Sequence, residues 1–436
     1  MPENDLRPGE KPLGSKTAIG LLVVLAAALA ARLIFCGLVV GWERAPAGDE
    51  IDYNHLAAHL SEGQGYRLEN DQLTARRPPL YPLVLAGVYR LFGVSVVWGR
   101  LFQVLLATSL VLLVFLAGRR FFTNRVAWLA AALVAVNPFL IFISGYLLTE
   151  NLYIILLLAS VLIPAKPPSP AGSWRRAALM GITLGLACLC RPTAWGVVLW
   201  CAGAGLLFGD RSLTRRLIRS GVLVAVALLT LLPWAIRNHA VFDRWIFFTT
   251  HGGITLYQGN NAAVLEYPQY HGGVAPLYML PRHGELESMG EVETDQAARA
   301  MARSFLWENK SRVPLLAWRK FLRFWRFQSD VGLSGVKSGW WWNKESGLGK
   351  IASTLDVGFV YSVFVIPLFV LGFVANLKDR RRFVFLAGLI IIHTLVSLVF
   401  HGSLRMRIPI EPVMAIFAAD TSWRIVTRVR ARRPAR

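Results

Sequence analysis

AIGLLVVLAAALAARLIFCGLVV, residues 18–40, holds a single charge, Arg32, in an otherwise unbroken apolar run. At about 1.5 Å per helical residue, such a run crosses a hydrocarbon core of roughly 30 Å. It is longer than the apolar segment of a cleaved signal peptide and continues through Leu33–Val40, so it reads as a retained signal-anchor helix. Further apolar runs follow near 97–117, 126–143, 147–164, 177–190, 194–208, 220–236, 356–376, 383–400 and 408–423. Several are slightly short, which tilt and local bilayer thinning accommodate. The expected fold class is an all-α integral membrane protein of about ten transmembrane helices.

Composition agrees. Of 436 residues, 55% are hydrophobic and only 17% charged, an excess that a soluble globule has no interior to hide. A formal charge of +21 first suggests nucleic acid, but its placement argues otherwise. Arg119, Arg120 and Arg125 share one short loop; Lys166, Arg175 and Arg176 another; Arg211, Arg215, Arg216 and Arg219 a third; Lys378 and Arg380–Arg382 a fourth; Arg424–Arg436 form the tail. These are alternate connections, and by the positive-inside rule all are cytoplasmic. Both termini are expected in the cytoplasm, and no nucleic acid partner is expected. Cys36, Cys188, Cys190 and Cys201 fall in or beside apolar runs and read as buried thiols.

The organisation expected is an N-terminal transmembrane module over 1–236 with a first outer loop at about 41–96, an extracytoplasmic loop region over 237–355, C-terminal transmembrane helices over 356–423 and a basic tail over 424–436. Within the first loop Leu80–Gly93 is apolar but too short to span, which suits an interfacial helix. Within the second, Ala297–Phe327 mixes Trp, Phe, Leu and Arg at helical spacing, with Trp307, Trp318 and Trp325 suited to a headgroup boundary. Pro164–Ser173 reads as a flexible cytoplasmic connector.

With this topology the unusual polar residues converge on the outer surface. Asp49 and Glu50 follow the first span, with Asp52, Tyr53 and His55 close behind; Asp49 and Tyr53, four apart, share a helix face. Glu150 stands at the outer mouth of a span, Arg191 ends another, and Arg405 and Arg407 occupy the last outer turn. Arg76 and Arg77 precede Pro78-Pro79. Single arginines such as Arg76, Arg90 or Arg100 are explained by snorkelling, and Gly48-Asp49-Glu50 by helix N-capping. Glu150, an acid inside apolar sequence, is costly and marks a functional position. Arginines at this depth suit a phosphate with a membrane-embedded tail, and a carboxylate above them suits deprotonation of an attacking hydroxyl or amine.

Gly48-Asp49-Glu50-x-x-Tyr53, Gly63-x-Gly65-Tyr66 and Arg77-Pro78-Pro79-Leu80-Tyr81-Pro82 closely resemble the first outer loop of GT-C membrane glycosyltransferases. More narrowly they resemble the dolichyl-phosphate-mannose protein mannosyltransferase and lipid A aminoarabinose transferase group. Thr149-Glu150-Asn151, Arg191-Pro192-Thr193, Pro233-Trp234-x-x-Arg237-Asn238, Gly252-Gly253, Gly259-Asn260-Asn261 and Arg405-x-Arg407-x-Pro409-Ile410-Glu411-Pro412 extend the resemblance in order over nearly the whole chain. Ala262 follows Asn261 where the family often has proline, and Met406 separates the arginines where it often has tyrosine. The resemblance implies an inverting transfer of a monosaccharide from a polyprenyl-phosphate donor to an extracytoplasmic acceptor (glycan, lipid or protein). It implies the cytoplasmic (inner) membrane as the location, Asp49 as base, Glu150 in a structural or acceptor-orienting role, and Arg77, Arg405 and Arg407 at the donor phosphate; Glu50 is placed with the catalytic acids and Arg191 with the phosphate ligands as neighbours of these. Tyr53, His55, Tyr81 and Asn260 are expected to contact substrate, and membrane lipids to surround the chain. Asp49, Glu50, His55 and His59 can be drawn as metal ligands, but the Asp-x-Asp pair of oligosaccharyltransferases is missing, so no metal cofactor is expected. Two other classes compete: a lipid-linked sugar flippase, which should show inverted repeats and midplane charges, and a catalytically silent accessory protein, which should have lost some of these residues.

Overall fold

A computed structural model describes residues 14–68, 72–163, 173–209, 212–327 and 357–431. Lys166, Arg211, most of the Pro164–Ser173 connector, residues 328–355 and the last residues of the basic tail lie outside them. Every apolar run falls on a helix. The first forms α1, Ser15–Phe35, prolonged by a π-helical turn over Cys36–Val40. Its lone charge is fully buried: Arg32 Nη1 donates to the Ala28 carbonyl at 3.0 Å and Ala135 at 3.2 Å, and Nη2 to Val134 at 3.3 Å. The last two carbonyls end a neighbouring helix, where the macrodipole favours a cation.

Between α1 and the next long helix come α2, Asp49–Ser61, and α3, Leu80–Phe92. At roughly 20 Å, α3 is too short to span. It buries Tyr81, Leu85 and Tyr89 and exposes Leu83, Leu91 and Phe92. The bundle continues with α4, Val96–Phe121; α5, Asn124–Ala135; α6, Pro138–Ile143; α7, Glu150–Leu162; α8, Ser173–Cys190; α9, Ala194–Phe208; and α10, Leu213–Phe242. The 126–143 run is split between α5 and α6. Pro138 cannot continue α5, and the Asn137 side chain accepts from the Phe139 and Leu140 amides to start the second helix.

Four helices among the described residues are long and apolar enough to cross a membrane: Ser15–Val40, Val96–Phe121, Leu213–Phe242 and Val357–Asp379. Leu80–Phe92, Asn124–Ala135, Glu150–Leu162, Ala194–Phe208 and Phe383–Val399 are shorter apolar helices. The chain is a multi-pass membrane protein, but a count of ten spans is not established: α5, α7 and α9 run only 12, 13 and 15 residues. One large core joins α1 to α10 with the C-terminal helices Val357–Asn376, Arg380–Val399 and Glu411–Ala431.

After α10 the chain builds a small helical unit with its own core around Tyr257, Val264, Ala298, Ala302 and Leu316. It comprises α11, Gly252–Gly259; α12, Ala262–Glu266; α13, His283–Ser288; α14, Glu291–Glu308; and α15, Val313–Trp325. Trp307 and Trp318 are exposed. Trp325 instead stacks on Phe369, centroids 5.6 Å apart, and ties this unit to the bundle.

Candidate active site

Gly48 opens α2 at φ 58°, ψ −127°, a backbone region open to glycine and costly for other residues. The turn places Asp49, Asp52 and Tyr53 on one face of α2. Glu50, one residue on and about 100° around the helix, points the other way. It is fully buried: Oε1 accepts from the Leu147 amide at 3.0 Å, and Oε2 from the Ala47 amide at 3.2 Å and from Arg44. Arg100 Nη2, 3.9 Å from Glu50, also donates to the Arg44 carbonyl at 2.6 Å. The structure therefore does not bring Glu50 to the other candidate acids; it ties α2 to the loop before α7.

The remaining charges form a ladder. Arg77 donates through Nε to Asp52 at 2.8 Å and through Nη2 to Asp49 Oδ1 at 2.6 Å. The second oxygen of Asp49 accepts from Arg405 Nη1. Arg405 Nε reaches Glu150 Oε1 at 2.5 Å, and the same oxygen lies 2.8 Å from Arg191 Nη1. Asp52–Arg77–Asp49–Arg405–Glu150–Arg191 is thus a continuous alternation of charge, drawn from α2, the Pro78-Pro79 turn, α7, the end of α8 and the short turn Leu404–Arg407. Its middle is open: the Asp49 and Arg405 side chains are 29% and 28% exposed, whereas Glu150 is fully buried. Glu150 is the anchor that holds Arg405 and Arg191 side by side.

Burial opposes the charge on Asp49, but Arg405 and Arg77, by charge and hydrogen bond, hold its carboxyl well below the ordinary carboxylate range. Tyr53 completes this face. Arg77 lies over its ring at 5.4 Å, and the ring meets Tyr81 edge-on at 5.2 Å.

Other expected residues sit elsewhere. Arg407 is fully buried and spends its donors on Glu411 at 2.9 Å, the Arg326 carbonyl at 2.7 Å, the Phe324 carbonyl at 3.4 Å and Ser362 Oγ at 3.3 Å. Two residues along a helical turn from Arg405, it faces the core. Tyr81 is buried with its hydroxyl accepting from Gln103 at 2.7 Å. Asn260 is buried as a staple, donating to the Val399 carbonyl at 3.0 Å and accepting from Lys320 Nζ at 2.8 Å. His55 is half-buried on α2. His59 lies with Nδ1 3.0 Å from the Arg67 carbonyl oxygen.

Sequence reading passed over three contributors. Asp52 was visible, one turn from Asp49, but one acid among several. Glu291 accepts from Thr74 Oγ1 at 2.6 Å, the Ala75 amide at 2.8 Å and Thr250 Oγ1, fixing the segment that carries Arg77 from a position some two hundred residues away. His251, at the head of α11, lies in the field of Arg77, Arg76 and Asp49. No spacing pattern marks either of the last two.

Residues 76–236 match the family model described as dolichyl-phosphate-mannose-protein mannosyltransferase. That segment holds Arg77, Glu150 and Arg191. The archaeal oligosaccharyltransferase AglB from Archaeoglobus fulgidus, solved with an inhibitory peptide and a dolichol-phosphate, superposes at a TM-score of 0.54 with 16% identity, over 97% of this chain and 53% of that one. Over residues 76–236 this chain is similar to that family, and its fold is similar to that of the archaeal oligosaccharyltransferase. It spans about half the length of that oligosaccharyltransferase. ArnT from Cupriavidus metallidurans, bound to undecaprenyl phosphate, aligns at 14% identity over 95% of this chain and 79% of that one, with a TM-score of 0.48. No curated protein sequence matches the chain significantly.

Proposed function

We propose that this chain transfers a monosaccharide from a polyprenyl-phosphate donor to an acceptor on the extracytoplasmic side of the cytoplasmic membrane, by a single inverting displacement. The observation that carries this reading is the grip of Arg77 and Arg405 on the two oxygens of one partly exposed carboxylate, Asp49. A phosphate at the end of a lipid tail competes for both guanidiniums, and planar bidentate donors are well matched to it. The dolichol-phosphate held by the archaeal oligosaccharyltransferase supports this class of donor.

In the step itself, the acceptor oxygen attacks the anomeric carbon and its proton passes to the Asp49 carboxylate. The bond from that carbon to the phosphate oxygen breaks, and the phosphate leaves with the electron pair. The leaving group gains a negative charge, which Arg77 and Arg405 stabilise most strongly in the transition state. Those arginines are also what keeps Asp49 acidic. Once the phosphate takes them, Asp49 is released and becomes more basic, so donor binding arms the base. Glu150 and Arg191 keep Arg405 in place throughout.

The test is release or transfer of sugar from a panel of radiolabelled polyprenyl-phosphate monosaccharides, by purified wild type and Asp49→Asn, with thermal unfolding as the fold control. Turnover by wild type alone, with both proteins equally folded, supports the reading. Near-normal turnover by Asp49→Asn removes Asp49 as base. Movement of a lipid-linked sugar across proteoliposomes without covalent transfer would replace transferase by flippase.

A further inference from the structure

His251 is absent from every motif that carries the family likeness, yet it is held tightly against the ladder. The Thr250 amide donates to the Ala75 carbonyl at 3.1 Å, Thr249 Oγ1 donates to the Arg76 carbonyl, and the His251 amide donates to Thr249 Oγ1 at 3.2 Å. These bonds tie residues 249–251 along the backbone that presents Arg77. From the other side, the Gly253 amide donates to Asp295 in α14. A Cβ at Gly253 would stand 1.9 Å from the Asp295 carbonyl oxygen, so only glycine lets α11 seat so deeply. The backbone that carries the His251 ring is consequently fixed in place. Yet the ring Nδ1 is buried and, among the described residues, has no hydrogen-bond partner.

A buried, unpartnered polar atom is destabilising and calls for a reason. Burial first, then the charges of Arg77 and Arg76, against the opposing pull of Asp49, push the imidazole down to about 3. At neutral pH it is therefore uncharged, which removes it as a phosphate cation and makes it a poor proton acceptor. What remains is a neutral ring with one donor nitrogen and one acceptor nitrogen, suited to a hydroxyl group. Its place on the arginine side decides which hydroxyl. Residues 249–251 are tied to the backbone that presents Arg77, so with the donor phosphate on Arg77 the hydroxyls within reach are those of the sugar next to that phosphate.

We propose that His251 hydrogen-bonds one hydroxyl of the transferred sugar and is a specificity-determining residue for the donor. The inference rests on the transferase reading above. It makes the small helical unit part of donor recognition, because α11 delivers the imidazole from that unit to the outer loop.

The experiment uses the full-length protein with the polyprenyl-phosphate monosaccharide that wild type turns over best, and a set of its monodeoxy analogues. Wild type, His251→Ala and His251→Asn are compared by kcat/KM for each analogue relative to the parent sugar in the same preparation, so any unfolded fraction cancels. For one ring position, wild type is expected to lose about tenfold or more on deoxygenation. His251→Ala should lose little at that position and keep the wild-type penalties at the others, and Asn, which keeps an amide donor and acceptor, should restore part of the discrimination. A purely structural residue would lower all analogues alike. Identical deoxy penalties in wild type and His251→Ala at every position overturn the inference and leave the transferase standing. Failure of wild type to turn over any donor removes the transferase reading and the inference with it.

Discussion

Arg405 and Arg407 stand two positions apart in the same short turn and end in opposite conditions. Arg405 is 28% exposed and bridges carboxylates from two distant segments, Asp49 and Glu150. Arg407 is fully buried and bound to Glu411, which in turn accepts from Asn137 Nδ2 at 3.2 Å, while a further three contacts absorb its remaining donors. Asp49 and Glu50 repeat the contrast at the start of α2. In each pair, one residue faces a gap a ligand can enter and the other closes a network that no ligand reaches. What separates the ladder from the scaffold is access to the polar atoms, since the residue types are the same.

That comparison can be broken most directly at Asp49. Asp49→Asn keeps the shape and loses the base, so turnover should fall about 10²–10⁴-fold while thermal unfolding in detergent stays close to wild type. A loss of folded protein matching the loss of activity would put Asp49 with the scaffold. The mirror image is Arg407→Ala, which leaves Glu411 charged and buried. It should cost roughly 3–5 kcal/mol of stability, read as a lowered Tm or lost expression, with little change in donor KM per folded molecule. A raised donor KM at unchanged Tm would return Arg407 to the phosphate site. A smaller effect is expected from Arg77→Gln, which removes a charge-assisted contact and should cost about 1.5–3 kcal/mol in donor recognition. The donor KM should rise tenfold or more, and equal KM values would show that the phosphate binds elsewhere.

The contrast also shows what a linear sequence conveys here. Apolar runs announced the helices of the main bundle, because period and hydrophobicity are local properties; the 18-residue α14 carries no such run. The ladder was mostly legible too: Asp49, Glu150, Arg77, Arg191 and Arg405 are charges left over once the runs are assigned to helices. Orientation within a turn was not legible. Nothing local says that Glu50 rotates to meet Leu147 or that Arg407 drops toward Glu411, since each depends on a partner far along the chain. Asn260 and Tyr81 misled for a related reason. They belong to family motifs, but their side chains complete packing between segments. Glu291 and His251 were hidden because their roles arise only when the small helical unit docks on the loop that carries Arg77.

The smallest effect expected is a displacement between two pH profiles. In the free protein Asp49 is held well below the ordinary carboxylate value by Arg405 and Arg77. It is therefore ionised at every pH above that value, and kcat/KM, which reports the free enzyme, should show no acid limb from Asp49 above about pH 4. On the proposed reading, a bound donor draws both arginines to its phosphate and the carboxyl moves up. The acid limb of kcat, which reports the bound state, should then lie at higher pH than that of kcat/KM. The sign follows from the exchange of partners: removing two cations from a carboxylate can only favour its proton. Coincident limbs would mean that Asp49 keeps its arginines through turnover, so that the phosphate is held by other groups and the open middle of the ladder differs from the closed Arg407 network in exposure but not in use.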